Sequence, residues 1–216
     1  MTSTIRILLV DDHPIVRYGF ARLLAAEPDL VVCGEAIDGP SALEQLAASP
    51  DVIVLDLSLG ATSGVELIGE LRRRAPAARV LVVSMHDELL YGERALRAGA
   101  AGYVMKHEAT DHMVRAIRTV AAGGVFVSDE LSARVVQRVA TAGGPASPFD
   151  QLTNRELHVL ELLGRGLGTR EIAEQLHVSI KTIETYRARL KEKMHLRSAT
   201  ELVRFAVRWA EEHKRN

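Results

Sequence analysis

Cysteine is almost missing from this chain. Cys33 stands alone among 216 residues, so neither an internal disulfide nor a cysteine-rich zinc site can be built from it. Such usage suits a reducing compartment, and the cytoplasm is the expected location. Proline and glycine are sparse too, at seven and 16 residues, which excludes a collagen-like or low-complexity chain. No apolar run comes near the roughly 20 residues that span a bilayer, and no membrane association is expected. The first apolar run stops at Asp11 and Asp12 without a basic stretch ahead of it, so no secretory signal is expected. Charge of one sign is also lacking overall, at net −1, yet it is unevenly shared. Residues 1–148 hold 14 Lys and Arg against 18 Asp and Glu, whereas 149–216 hold 13 against 10. An acidic front and a basic tail imply two jobs.

Short apolar, β-branched runs recur in the front part: Ile5–Val10, Leu30–Val32, Val52–Leu57, Val80–Val83 and Tyr103–Met105. Their length and composition predict buried strands. Helical spacing fills the intervals, as in Val16, Phe20, Leu23 and Leu24, or Leu67, Ile68 and Leu71, or Met113, Ile117 and Val120. Five strand and helix alternations predict an α/β domain with a doubly wound five-stranded parallel sheet, over residues 1–121. A linker with one helix near Leu131–Val139 is expected over 122–148, its Gly, Pro and Ser-rich part at 141–148. A small all-α domain is expected over 149–216. There Thr153-x-x-Glu156 reads as a capping box ahead of Leu157, Leu160 and Leu163.

In doubly wound sheets ligands gather at the carboxyl ends of the strands. Asp11, Asp12, Asp56, Ser84 and Lys106 all fall at such ends. Converging carboxylates repel one another, and a divalent cation relieves that repulsion; oxygen-only ligands favour magnesium. Asp56 could then attack phosphorus and Lys106 pair with a phosphate oxygen. Taken singly, each residue has a plainer explanation: helix caps at Asp11 and Asp12, a satisfied buried carboxylate at Asp56, an ion-pair partner at Lys106.

These five residues, in this order on these elements, closely resemble the receiver domain of two-component response regulators, over about residues 4–121. The resemblance implies that Asp56 accepts a phosphoryl group from a sensor histidine kinase. It implies Mg2+ held by Asp12 directly, by Asp11 directly or through water, and by Asp56. Ser84 and Tyr103 would be a switch pair: the Ser84 hydroxyl moves to the phosphate, and Tyr103 swings inward into the vacated space. An aromatic in a last strand is otherwise simply core. His86 and Met85 are expected at the pocket rim. The chain departs from the family pattern in two loops. Gly60 stands in a loop expected to be loose, and His107 follows Lys106 where many receivers have proline.

The tail segment from Ser179 to Met194 places Ile183, Leu190 and Met194 on one helical face and polar residues on the other. Basic side chains, hydroxyls and a helix N-terminus suit phosphate oxygens, and an outward helix face can reach base edges. With the preceding short helix and the turn at His177-Val178-Ser179 this predicts a helix-turn-helix. The stretch from Leu152 to Leu196 resembles the LuxR-type DNA-binding domain in its Leu-Thr-x-Arg-Glu opening, its Gly166-to-Ala173 core and Ser179-x-Lys181-Thr182-Ile183-Glu184. By resemblance Lys181 and Thr182 contact phosphates, Arg187, Arg189 and Lys191 are further backbone contacts, and Glu184, Thr185 and Ala188 face the bases. Glu184 could accept from a cytosine amino group or pair with Lys181 or Arg187, and the pairing is expected. The last helix, with Phe205 and Trp209, is expected to be core on one side and dimer interface on the other.

The two matches together are the arrangement of the NarL/FixJ class of response regulators. They imply a phosphorylation-controlled transcription regulator that binds promoter double-stranded DNA, a homodimer when phosphorylated, and not an enzyme. Two rivals remain at the level of sequence. An aspartyl-phosphate phosphohydrolase would use the same acids, but it needs a second acid near the nucleophile, and residue 58 is Ser. A regulator indifferent to phosphorylation would carry the pocket as a relic.

Overall fold

The structure is a computed structural model that describes residues 4–60, 62–140 and 148–213. The chain divides into two compact units, 1–142 and 143–216. In the first, the order is β1 (Ile5–Val10), α1 (Pro14–Leu24), β2 (Leu30–Ala36), α2 (Gly39–Gln45), β3 (Val52–Leu55), β4 (Ser58–Leu59), β5 (Thr62–Ser63), α3 (Gly64–Arg74), β6 (Arg79–Ser84), α4 (Glu88–Ala98), β7 (Gly102–Met105), α5 (Ala109–Ala121) and α6 (Asp129–Ala140). Five strands form one parallel sheet in the order β2-β1-β3-β6-β7. The doubly wound five-stranded sheet is therefore present as expected. Its central strands are apolar on both faces because helices cover both, which explains unbroken runs such as Val52–Leu55, buried at every position.

Helix α5 shows how sequence spacing becomes packing. Met113, Ala116, Ile117 and Val120 recur at helical intervals, and all four are fully buried in the cluster that includes Ile7, Val54, Leu81 and Val104. Burial of a side chain the size of Ile117 is worth about 1.5–3 kcal/mol. Helix starts are fixed by local chemistry: Asp38 and Ser41 cap α2 reciprocally, and the Asp87 carboxylate accepts the Leu89 N–H at 2.8 Å to open α4.

Two segments differ from expectation. The loop after Asp56, expected to be loose, is an antiparallel hairpin of β4 and β5. Gly60 has φ 53° there, the left-handed geometry that a tight hairpin turn demands and that glycine adopts without strain. Here glycine tightens the loop rather than loosening it. Secondly, α6, assigned in sequence to the linker, packs onto α4, burying Leu131 completely and hydrogen-bonding Arg134 to the Leu89 carbonyl. The Gly, Pro and Ser-rich part of the linker lies, apart from Pro148, outside the described residues.

The second unit contains α7 (Asn154–Gly164), α8 (Thr169–Gln175), α9 (Ile180–Lys193) and α10 (Ala199–His213). Its core joins Leu157, Leu160 and Leu163 of α7 to Ile172, Ile183, Leu190, Leu202, Ala206 and Trp209. The Thr153 and Glu156 capping box forms as the sequence indicates. Glu156 is itself buried, its Oε2 accepting the Thr153 N–H at 2.8 Å and the Lys193 ammonium at 2.7 Å. Phe149 packs against Trp209 with ring centroids 5.3 Å apart. The ends of α8 and α9 are closed by His177 and His195 at φ 52° and 55°, left-handed positions more often filled by glycine. Among the described residues no helix is long and apolar enough to cross a membrane.

Candidate functional sites

The first site lies in the first unit, at the carboxyl ends of β1, β3, β6 and β7. Asp11 and Asp56 are buried at 3% and 2% exposure, because each follows directly on an apolar strand of the sheet interior. Lys106 reaches in from the end of β7 and bridges them, its Nζ 2.7 Å from Asp56 Oδ2 and 2.8 Å from Asp11 Oδ2. Asp56 Oδ1 is buried with no hydrogen-bond partner, a costly arrangement in a protein interior unless a ligand supplies one. Asp12 is half-buried, with Oδ1 2.6 Å from His13 Nδ1. Burial pushes the Asp56 carboxyl above the usual carboxylate range, against the opposing pull of the Lys106 charge and hydrogen bond. Burial disfavours the charged Lys106 ammonium, yet Asp56 and Asp11 together hold its pKa above the ordinary lysine value.

Asp11, Asp12, His13 and Asp56 each present a ligand atom within 4.8 Å of one another. Three of the four are carboxylates, and the fourth, His13, is already engaged by Asp12. The oxygen-rich set and the orphaned Oδ1 of Asp56 fit a hard divalent cation. A cavity of about 720 Å³ opens beside the pocket, lined in part by His13, Val16, Phe20, Met85, Lys106 and His107.

Ser84 is fully buried at the end of β6, its Oγ accepting the His86 N–H at 3.3 Å. Tyr103 differs from expectation. Its ring already lies inside, 1% exposed, with the hydroxyl donating to the His86 carbonyl at 2.8 Å. No inward swing remains to be made, because the interior offers the phenol both apolar contact and an acceptor. Met85 is at the rim, exposed at 61%. His86 is not. It is buried, stacks on Tyr91 with centroids 4.4 Å apart, and places Nε2 3.0 Å from Ser58 Oγ. One residue thus links the hairpin after Asp56, the Ser84 hydroxyl and the Tyr103 phenol. Nothing in the strand periodicity signals this, because the pairing arises only when two loops distant in sequence meet.

The second site is the outer face of α9. Ser179 caps the helix by accepting the Thr182 N–H at 3.1 Å, and the two hydroxyls lie 2.8 Å apart. Ile183 and Leu190 anchor the inner face. Lys181, Glu184, Thr185 and Ala188 share the exposed face at helical spacing, with Arg189 exposed beside them. Thr185 donates its hydroxyl to the Lys181 carbonyl at 2.9 Å. Lys191 is half-buried. Arg187 is half-buried too, and its guanidinium donates to Thr169 Oγ1 of α8 at 3.0 Å, so it braces the two helices. The pairing expected of Glu184 with Lys181 or Arg187 is absent from the ion pairs of the described residues; Glu184 projects into solvent.

Comparison with known proteins matches both units. The family described as response regulator receiver domain matches residues 7–118, and that described as bacterial regulatory proteins, luxR family, matches 150–206. The oxygen regulatory protein NreC of Staphylococcus carnosus is 33% identical over 210 residues, covering 94% of this chain and 97% of that protein. A LuxR-family two-component response regulator from Aurantimonas sp. SI85-9A1 is 37% identical with a TM-score of 0.59, over 64% of this chain and 99% of that one. The Salmonella typhimurium response regulator RcsB, described for its conformational dynamism in DNA interaction, is 25% identical with a TM-score of 0.57, over 95% and 98%.

Proposed function

Given that the chain belongs to the NarL/FixJ class of two-component response regulators, in which a receiver precedes a LuxR-type DNA-binding domain, we propose that Asp56 is its phosphoacceptor and α9 its DNA-reading helix. The receiver spans 1–121, the segment 122–148 carries α6 packed against that receiver and leads on to the DNA-binding domain, and the DNA-binding domain spans 149–216. The observation that carries the proposal is the Asp56 carboxylate: Oδ2 held by Lys106, Oδ1 buried without a partner.

An Asp56 oxygen attacks the phosphorus of a phosphohistidine on a sensor kinase, which approaches over the cavity beside His13 and Met85. The new phosphorus–oxygen bond forms as the phosphorus–nitrogen bond breaks, and the departing imidazole retains the electron pair and takes up a proton. Asp11, Asp12 and Asp56 would hold Mg2+, which neutralises charge on the transferring phosphoryl group. Lys106 sits where it can pair with a phosphoryl oxygen, and the Ser84 hydroxyl, now engaged by His86, can turn to hydrogen-bond another. Ser58, two residues beyond Asp56, offers no acid for repeated turnover, so the chain is a regulator rather than a phosphohydrolase.

In the DNA-binding domain, Lys181, Thr182, Arg189 and Lys191 contact phosphates, while Glu184, Thr185 and Ala188 face bases. RcsB has been solved as a complex with DNA and as pairs of dimers on DNA. By analogy the phosphorylated chain acts as a homodimer on promoter DNA, in the cytoplasm. Intact mass after incubation with acetyl phosphate and magnesium tests the central claim. Wild type should gain one phosphoryl group only when magnesium is present, and Asp56→Ala should gain none. An equal gain in the variant would remove Asp56 from its role.

A further inference from the structure

β7 is one of the two edge strands of the sheet, and an open edge is a liability that proteins cover. Here the chain covers it with its own residues after α5. Phe126 runs parallel to β7, donating its N–H to the Ala101 carbonyl at 3.0 Å and accepting the Tyr103 N–H at 2.8 Å. Its ring lies 5.2 Å from the Arg115 guanidinium. The segment then crosses to α4. The Ser128 N–H donates to Glu88 Oε1 at 3.0 Å, Leu131 is fully buried, Arg134 donates to the Leu89 carbonyl at 3.0 Å, and Arg138 pairs with Glu93.

Two glycines show how closely this strap is seated. A Cβ on Gly92 of α4 would fall 2.5 Å from Leu131 Cδ2, and one on Gly102 of β7 would fall 2.6 Å from the Phe126 carbonyl oxygen. Gly102 meets backbone and admits no side chain while the strap is in place, whereas a methyl on Gly92 meets the tip of the Leu131 side chain and would push that anchor from its seat. The seat is also joined to the phosphorylation pocket. Phe126 holds the backbone of Tyr103, whose hydroxyl is bound by the His86 carbonyl, and α4 begins two residues after His86, whose N–H meets Ser84. Movement of the Ser84 hydroxyl releases the His86 N–H, and through His86 it would disturb both the start of α4 and the bond that holds Tyr103, the two surfaces on which the strap rests. Leu131 is the one fully buried residue of α6, with Val135 half-buried one turn on and Phe126 partly buried against the sheet core. The remaining contacts are polar and near the surface, so few apolar groups hold the strap down, the composition of a segment that opens locally.

We propose that residues 125–140 are a transmission strap, seated on β7 and α4 while Asp56 is unmodified and released when Asp56 is phosphorylated, which changes the run of chain leading to the DNA-binding domain. The proposal rests on the assignment of Asp56 above. Hydrogen exchange on the full chain, with and without acetyl phosphate and magnesium and with the mass gain verified, reads it directly. Amide protection across 125–140 should fall on phosphorylation. Gly92→Ala should lower that protection without phosphorylation, and because alanine favours helix it should leave α4 intact; Leu131→Ala should do the same from the other side. In wild type, phosphorylation should raise affinity for DNA selected by the chain by on the order of tenfold, and in both variants the ratio should shrink to within about twofold. A verified mass gain with unchanged protection overturns the strap alone, as does a full affinity ratio in Gly92→Ala with its strap already released. Failure of wild type to gain mass overturns the Asp56 assignment, and the strap with it.

Discussion

Lys106 answers two buried carboxylates at once, and that geometry sets what its loss would do. With the ammonium 2.7 Å from Asp56 and 2.8 Å from Asp11, removal leaves both acids buried without a cation. Breaking one side of a buried pair costs about 3–5 kcal/mol. Lys106→Ala should therefore unfold at lower denaturant by roughly that amount when magnesium is absent, and recover part of the loss when magnesium is added. The same variant should still accept a phosphoryl group yet fail to dimerise in sizing experiments; full phosphate-dependent dimerisation would contradict the role given to Lys106. Asp11, Asp56, Ser84 and Lys106 were legible from sequence because each ends or follows an apolar strand, and parallel strands bring such ends together. His86 was not, since side-chain direction two residues beyond a strand obeys no period. The inward setting of Tyr103 was equally hidden: a sequence names the aromatic but not its rotamer.

Elements were easier to read than their margins. Five strands and most helices follow from apolar spacing and caps, as with the Thr153 and Glu156 box. The hairpin of β4 and β5 is hidden in the sequence because strands of two residues carry no periodic signal, and the strap on β7 and α4 because its anchoring residue, Leu131, lies in a helix where Val135 is only half-buried and Val136 and Val139 remain exposed. The capping box also carries a pH dependence. Burial acts to raise the Glu156 pKa, but the Lys193 and Thr153 hydrogen bonds outweigh it and hold the carboxyl below its ordinary value. An acid with a lowered folded-state pKa contributes stability that is present above its unfolded value, about 4.5, and is lost as pH falls through the folded one. Trp209 is the only tryptophan and lies in this unit, so its fluorescence follows the unit in the full chain. Urea midpoints read this way should fall as pH drops below about 4.5 in wild type, and Glu156→Gln should flatten that limb while lowering the plateau. Equal acid slopes in the two proteins would show that other carboxylates govern it.

At the scale of the whole molecule, the division of charge matches the division of labour. The acidic front holds a pocket of carboxylates that would attract a cation, and the basic tail, on the reading proposed above, would offer α9 to a polyanion. Affinity for DNA selected by the chain should fall steeply with salt, by about 0.9 log unit per tenfold salt for each phosphate neutralised. The individual contributions differ by geometry. Lys181 is exposed and unengaged by any ion pair among the described residues, so Lys181→Ala should reduce the slope by about one unit and weaken binding similarly across DNA sequences. Arg187 is half-buried and spends a guanidinium N–H on Thr169. Arg187→Ala should leave the slope nearly unchanged and instead loosen the packing of α8 against α9, lowering the urea midpoint reported by Trp209. Gel shifts over a salt series separate the two outcomes. A loss of slope in Arg187→Ala as large as in Lys181→Ala would mean that Arg187 leaves Thr169 to reach the phosphate backbone, and a flat salt dependence in wild type would remove α9 from DNA altogether.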